Sequence, residues 1–270
     1  MKISMKSVAA AVAFLSMSAA NAGTPLTLRP GESVTDQGWT VSDGKGSGAL
    51  TFSASLIGAL NAGGVQVAGI APATLDVTMK PKPKDYQYKT VSIGAPIASV
   101  TGVFDGTTLQ VLEVGTIGGA LQTAEADDFT TIGGFLSITN LRVDIANMKV
   151  FADLDGGNGL GVHNNVDMWS VTTLAGATSF AAVEGLNSST NTLSGLKINA
   201  NAFAMFSQAL GLTIDGENAL RGVTDFGTMN STISVMAHKE SVPSVPEPSS
   251  YALMAMGLVA IGAVARRRAK

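Results

Sequence analysis

Short stretches in which apolar and polar residues alternate recur along most of this 270-residue chain. Because successive side chains of a strand point to opposite faces of a sheet, this alternation predicts half-buried β-strands. Polar turn signals separate the stretches, as at Asp105-Gly106 and Asp215-Gly216. The clearest predicted strands are residues 73–79, 108–114, 135–145, 148–154 and 231–237.

This pattern favours an all-β fold, an antiparallel β-sandwich-like body with one or two short helices. The helices are predicted at residues 53–64 and 199–212, where apolar residues recur at intervals of three or four. A hairpin is predicted around Asn147. The stretches 46–67 and 193–216 share a similar order of residue types. An old duplication giving two related halves is one interpretation, and chance similarity in a chain rich in Ala, Gly and Leu is the other.

The N-terminus has the features of a secretory signal peptide over residues 1–22. Two lysines precede an apolar segment at residues 8–17, and Ala20 and Ala22 are the small residues of a signal peptidase site. The apolar segment is too short to span a membrane, so an uncleaved N-terminal anchor is the weaker interpretation. We predict export, with cleavage after Ala22.

The chain contains no cysteine, although an exported protein could use disulfides. Its body therefore has to be stabilised by its core alone. The same absence excludes thiol nucleophiles, zinc sites built on thiolates and iron–sulfur clusters.

The C-terminal segment has three parts in a fixed order. A proline-rich linker covers residues 241–250, an uncharged apolar segment covers residues 251–265, and Arg266, Arg267 and Arg268 follow. A helix over the apolar segment would be about 22 Å long at about 1.5 Å per residue, whereas the hydrocarbon core of a bilayer is about 30 Å thick. We predict a transmembrane helix there that needs local thinning of the bilayer, with the arginines on the cytoplasmic side.

The order of these parts over residues 246–270 resembles the PEP-CTERM sorting signal of exported proteins of Gram-negative bacteria. Pro246, Glu247 and Pro248 match the signature tripeptide, and the three arginines match its basic end. The resemblance implies recognition by an exosortase-type membrane protease. It also implies a chain anchored by its C-terminal helix before processing, and then placed in the cell envelope or outside the cell. Such proteins commonly accompany exopolysaccharide production and biofilm.

Charge is distributed unevenly, although the formal net charge is only −3. Six of the 17 basic residues lie in the terminal segments, whereas Glu247 is the only one of the 20 acidic residues found there. The β-rich body predicted at residues 23–240 is therefore strongly acidic and would repel phosphates. This argues against a nucleic-acid partner.

The glycine-rich run at residues 153–159 offers a weak metal site. Asp153, Asp155 and Asn158 could supply oxygen ligands to Ca²⁺. The run departs from the EF-hand pattern, because Gly157 stands where a ligand belongs and the acidic twelfth residue is missing. A hairpin turn explains the same residues. A second acidic cluster, Asp127-Asp128, has the same two interpretations, a calcium ligand or a solvated surface.

Catalytic motifs are missing from the sequence. His163 and His238 are the only two histidines, no G-x-S-x-G motif occurs, and neither histidine belongs to an H-E-x-x-H motif. We interpret His163 as a loop residue, and we predict no catalytic residues and no cofactor beyond the weak calcium site. Trp39 and Trp169 are either core residues or platforms on which sugars stack.

These observations lead to three hypotheses. The first is an exported, C-terminally sorted protein of the envelope or extracellular matrix, not an enzyme, whose β-rich body is structural or adhesive and is linked to exopolysaccharide or biofilm. The alternative is a carbohydrate-binding or calcium-dependent matrix-binding module. A secreted hydrolase is the hypothesis with least support, since no acid/base pair is visible.

Overall fold

A computed structural model describes residues 24–81, 87–127, 129–240, 253–256 and 258. The predicted signal peptide, the linker at residues 241–250 and most of the predicted transmembrane helix at residues 251–265 lie outside these ranges. Residues 253–256 and 258 are helical. Within the described ranges, no helix combines the length and the apolar character needed to cross a membrane. The chain forms two compact units, residues 1–238 and residues 239–270, and the first contains the β-rich body.

The described part of this body is built mainly of strands, with three short helices. The helices are α1 (Ala54–Ala62), α2 (Ala200–Ala209) and α3 (Ile214–Arg221). The strands are β1 (Leu26–Leu28), β2 (Ser33–Asp36), β3 (Trp39–Phe52), β4 (Gln66–Ile70), β5 (Thr74–Met79), β6 (Tyr88–Phe104), β7 (Thr108–Thr116), β8 (Gly119–Ala124), β9 (Gly134–Asp144), β10 (Lys149–Gly156), β11 (Gly161–Ser170), β12 (Thr173–Gly176), β13 (Ser179–Ala181), β14 (Gly185–Ser194), β15 (Lys197–Ile198) and β16 (Gly227–Lys239).

The predicted antiparallel, all-β architecture is confirmed. Each of the five predicted strands is present, as β5, β7, β9, β10 and β16. The predicted hairpin is formed by β9 and β10, in which Asp144 lies opposite Lys149. Its turn is fixed by the Asp144 carboxylate, which accepts a hydrogen bond from the backbone N–H of Asn147 at 3.0 Å. Asp105 organises the turn between β6 and β7 in the same way, accepting from the N–H of Thr107 at 2.9 Å.

One long strand, β6, belongs to both sheets of the sandwich. In the first sheet the strand order is β12-β14-β16-β3-β6, and in the second it is β6-β7-β9-β10-β11-β15. Residues 92–96 of β6 pair with β3, and residues 97–104 pair with β7. The register shifts between Ile97 and Ser99, where the strand passes from one sheet to the other. A corner strand of this kind is a common way to join two packed sheets.

The main core lies between the two sheets and under the helices. Strands of both sheets alternate buried and outward-facing residues; in β10, for example, Val150, Ala152 and Leu154 are buried. A single cluster of buried side chains takes residues from both sheets and from the helices, among them Ile93, Leu136, Met168, Leu193, Phe206 and Met229. Because no disulfide is present, burial of these apolar side chains is the main source of stability.

The expectation of one or two helices was wrong, because the described part of the body contains three. The first two lie where the sequence predicts them. The third, α3, includes Asp215-Gly216, which the sequence analysis assigned to a turn. The Thr213 hydroxyl caps this helix by accepting from the Gly216 N–H at 3.4 Å. Asp215 and Glu217 in the first turn favour the positive end of the helix dipole. An Asp-Gly pair signals a turn only when strands flank it.

The two stretches proposed as a duplication differ after their helices. The first forms the end of β3, then α1, then β4. The second forms the end of β14, then β15 and α2, and continues into α3 instead of a strand. The duplication remains a hypothesis.

Tyr88, at the start of β6, ties three elements together. Its hydroxyl accepts a hydrogen bond from the buried N–H of Val67 on β4 at 2.9 Å. The Asn61 side chain at the end of α1 accepts from the Tyr88 N–H at 2.8 Å and donates to its carbonyl at 2.9 Å.

We predict that Tyr88→Phe lowers the free energy of unfolding by about 1–3 kcal/mol, because it leaves the Val67 N–H buried and unpaired while keeping the aromatic ring. Urea unfolding followed by circular dichroism measures the loss. The same substitution at Tyr251, outside the body, is the control. An unchanged midpoint for Tyr88→Phe would show that this hydroxyl contributes nothing to the fold.

Candidate functional site

The residues of the two predicted processing signals lie outside the described ranges. They are Ala20, Ala22, Pro246, Glu247, Pro248, Arg266, Arg267 and Arg268. A site within the body has to be sought on its own surfaces.

The glycine-rich run at residues 153–159 forms the turn of the β10–β11 hairpin, in which Gly156 lies opposite Gly161. The Asp153 carboxylate accepts from the backbone N–H of Asn165 at 2.9 Å and from the amide of Asn140 at 3.0 Å. Both of its oxygens are therefore engaged within the protein. These contacts favour the hairpin interpretation of the run.

Asn158, the third candidate metal ligand, fastens this turn to the rest of the body. Its side-chain N–H groups donate to the carbonyls of Gly133 at 2.9 Å and of Ala209 at 3.1 Å. Over the ranges that the structure describes, no three His, Cys, Asp or Glu side chains are grouped so that they could hold a metal ion. A calcium site at Asp153, Asp155 and Asn158 stays a prediction.

The aromatic and histidine candidates take different positions. Trp169 is 3% exposed, so the hypothesis that its indole is a surface platform for sugars was wrong. Trp39 is half-buried and packs edge-on against Phe104, with ring centroids 6.5 Å apart. His163 lies on β11 instead of in a loop, and its Nε2 atom bonds to the carbonyl of Leu160 at 3.1 Å. His238 pairs with Glu184 at 3.0 Å.

Asp127 organises the exposed loop between β8 and β9. Its carboxylate accepts hydrogen bonds from the hydroxyl of Thr130 and from the backbone N–H groups of Phe129, Thr130 and Thr131. The bonds from Thr130 are the main reason why the pKa of Asp127 lies well below its ordinary value. The Asp127 carboxylate therefore acts as the cap of a local turn.

An organised polar surface lies on the outer side of the first sheet. On β14, Ser188, Thr190 and Thr192 face outward. They lie directly opposite Ser234, Thr232 and Asn230 of β16. We call the outer side of β14, β16, β3 and β6 the hydroxyl face; its side chains include Ser188, Thr190, Thr192, Asn230, Thr232, Ser234, Thr51 and Ser92.

Neighbouring side chains of the hydroxyl face are held by cross-strand hydrogen bonds. The hydroxyls of Thr190 and Thr232 lie 3.3 Å apart, and Thr192 donates to the Asn230 amide oxygen at 2.8 Å. On β3 and β6, the hydroxyls of Thr51 and Ser92 lie 3.2 Å apart. Strands of a sheet lie about 4.8 Å apart, and outward residues repeat about every 6.8 Å along a strand. The hydroxyl face therefore carries paired uncharged donors and acceptors, and it is bordered by the exposed Leu186 and Met236 and by the exposed Lys45.

The hydroxyl face has no clear signal in the sequence, because the middle of β14 is polar on both sides. The outward residues alternate with Asn187, Ser189 and Asn191, which are buried. Without an apolar face, the segment gives no alternating hydrophobic signal. The signal that could have found it is the density of Ser, Thr and Asn in residues 187–194, repeated in residues 228–234.

The PEP-CTERM protein-sorting motif matches residues 244–268, which confirms the resemblance of the C-terminal segment. The motif implies export and membrane-associated sorting, so the chain is an exported, C-terminally sorted protein with a β-rich body. Comparison with curated proteins gives no match, and neither does comparison with solved structures. The function of the body therefore has to be argued from its own geometry.

We predict a pH-dependent contribution to stability from Asp127. Its pKa is lowered in the folded state, so its carboxylate stabilises the fold above its ordinary pKa of about 4, and this stabilisation is lost as the pH falls below that value. Asp127→Asn should unfold at a lower urea concentration than the wild type at pH 7, and the difference should shrink by pH 3. Asp76→Asn, at an exposed position of β5, is the matched control. A difference that does not change with pH would contradict the assignment.

Proposed function

We propose that this exported, C-terminally sorted protein is a non-catalytic component of the envelope or extracellular matrix, and that it adheres to an uncharged polysaccharide of the exopolysaccharide or biofilm matrix. The observation that carries the proposal is the hydroxyl face, with its uncharged side chains in cross-strand register. Location is supplied by the sorting motif at residues 244–268, which exosortase-type proteases recognise.

The chemistry of the face suits a neutral polymer rich in hydroxyl groups. A threonine hydroxyl both donates and accepts, and so does a sugar hydroxyl. A single hydrogen bond contributes only about 0.5–1.5 kcal/mol net, so a useful affinity requires many contacts along one extended chain. A sheet whose side chains are already held by one another loses little conformational entropy when it binds.

Adhesion is better supported than catalysis. Thr190, Thr192 and Thr232 bond to one another or to an amide, so no base activates their hydroxyls. The two histidines of the body bond to a backbone carbonyl and to an exposed glutamate. The carbohydrate-binding alternative loses its aromatic platform at Trp169, which is buried. In our proposal the polysaccharide therefore binds along the hydroxyl face and does not stack on an indole.

We predict that the triple variant Thr190→Val, Thr192→Val and Thr232→Val weakens binding to the purified exopolysaccharide of the producing organism by about tenfold or more, since three hydroxyls are lost while side-chain shape is kept. Co-sedimentation or calorimetry measures the change. The matched control is Thr35→Val with Thr40→Val, which removes an exposed cross-strand hydroxyl pair 2.8 Å apart on the β2–β3 hairpin. Equal binding by both variants and the wild type would refute the proposal.

We predict that replacing Pro246, Glu247 and Pro248 by alanine leaves full-length, unprocessed protein in the membrane fraction of the producing organism. The reason is that the recognition tripeptide is removed while the apolar segment and the arginines remain. Immunoblotting of membrane and extracellular fractions measures processing. Pro243→Ala, in the same linker, is the control and should be processed normally. Processing of the triple variant at the wild-type rate would contradict the assigned role.

A further inference from the structure

A largely apolar cavity lies inside the body, between the two sheets. Its volume, measured as the space open to the centre of a water-sized sphere, is about 90 Å³. By the same measure about 10–15 Å³ suffices for one water molecule, so the cavity has room for a small organic molecule. Its walls come from both sheets and include Leu50, Ile93, Ile138, Leu174 and Phe226.

The cavity exists because small residues occupy inward positions on several strands. Gly48 on β3, Ala95 on β6 and Ala120 on β8 line it. A Cβ atom built on Gly48 would lie 3.5 Å from the Thr116 methyl group and 4.0 Å from the Asn230 carbonyl oxygen, which are ordinary contact distances. Backbone sterics therefore do not require glycine at this position, and a larger side chain there would enter the cavity.

Two buried polar side chains line the cavity, and each has an unused hydrogen-bonding atom. Trp169 and Asn191 both line the cavity, and each is 3% exposed. The Trp169 Nε1 and Asn191 Oδ1 atoms have no hydrogen-bond partner among the described residues. The Asn191 amide nitrogen is used, since it donates to the Ser189 hydroxyl at 3.2 Å. Buried polar atoms are usually paired, so these two atoms at one apolar cavity indicate a polar group of a ligand.

The chemistry of the lining restricts the ligand. An indole N–H only donates, so the ligand must present an oxygen that accepts. The amide oxygen of Asn191 accepts, so the ligand must also donate. A hydroxyl is the smallest group that does both. Among the described residues that line the cavity none is charged, so a carboxylate or ammonium group would be buried without a counter-ion, at a large energetic cost.

We propose that this cavity is a binding site for an uncharged, mainly apolar alcohol, whose hydroxyl group accepts from Trp169 and donates to Asn191. The apolar part of the ligand fills the space left by Gly48, Ala95 and Ala120. This inference does not rest on polysaccharide binding, because Trp169 and Asn191 are buried whereas Thr190, Thr192 and Thr232 lie on the outer surface.

The test uses the full-length chain with Trp39→Phe, so that Trp169 is the remaining tryptophan and reports on the cavity through its fluorescence. The probes are 1-octanol, 1-chlorooctane and octanoate, which share an eight-carbon chain and differ in the terminal group. We expect saturable binding of 1-octanol, at least tenfold weaker binding of 1-chlorooctane and no binding of octanoate. A rise of the melting temperature with 1-octanol concentration gives a second readout.

Three variants in this background connect binding to the cavity. Gly48→Leu fills it and should abolish the response to 1-octanol. Gly58→Leu is the matched control, because a Cβ atom on Gly58 meets nothing within 4 Å and the residue is exposed on α1. Asn191→Leu removes the acceptor and should reduce the affinity for 1-octanol to that for 1-chlorooctane.

Equal affinity of the parent protein for 1-octanol and 1-chlorooctane would overturn the role of the two polar atoms. The absence of a saturable response to any probe would overturn the site itself, as would normal binding by folded Gly48→Leu. If Gly48→Leu does not fold, the comparison of the three probes and the Asn191→Leu variant still decides the outcome.

Discussion

The hydrogen-bond ladder through β6 is the constraint on which the rest of the body depends. This 17-residue strand pairs with β3 and β5 through its first half and with β7 and β1 through its second half. Because one backbone belongs to both sheets, the sheets cannot slide past each other without breaking these bonds. The buried side chains of Tyr88 and Phe104 fix its two ends. The distance between the sheets, and with it the interior cavity, is set by this strand.

The sequence predicted strands that carry an apolar face, including β16, and missed β3, β6 and β14, which form the rest of the hydroxyl face. In β10 every second residue is apolar and buried, so alternation alone identifies it. In β6 the apolar residues are interrupted by Gly94, Ala95 and Pro96, at the place where the strand changes partner. A proline inside a strand argues against a central ladder, yet here it coincides with the corner between two sheets. Only the strand pairing in the folded protein shows that this proline lies at a corner between two sheets and not inside a central ladder.

The β14 strand shows why local sequence was insufficient for the hydroxyl face. Its buried side carries Asn187, Ser189 and Asn191. Asn187 and Ser189 donate to the backbone carbonyls of Val183 and Ala177, which holds the segment between β12 and β14 in place. Asn187 and Ser189 are stable inside because their side chains are paired. A sequence pattern cannot distinguish them from the outward residues of the same strand, since both sets are polar. Which side of β14 faces solvent can be decided only from the strands and segments that pack against it in the folded protein.

The sorting motif and the body differ in how far local sequence reveals their roles. The sorting motif is a local sequence, so a match over residues 244–268 is enough to assign it. The body acts through surfaces assembled from distant strands. It has no disulfide, and globular domains are stable by only about 5–15 kcal/mol. A cavity of about 90 Å³ gives up on the order of 2 kcal/mol of packing energy. A Cβ atom at Gly48 would meet only ordinary contact distances, so backbone sterics at this position do not impose the loss, and the proposed ligand would restore the missing contacts.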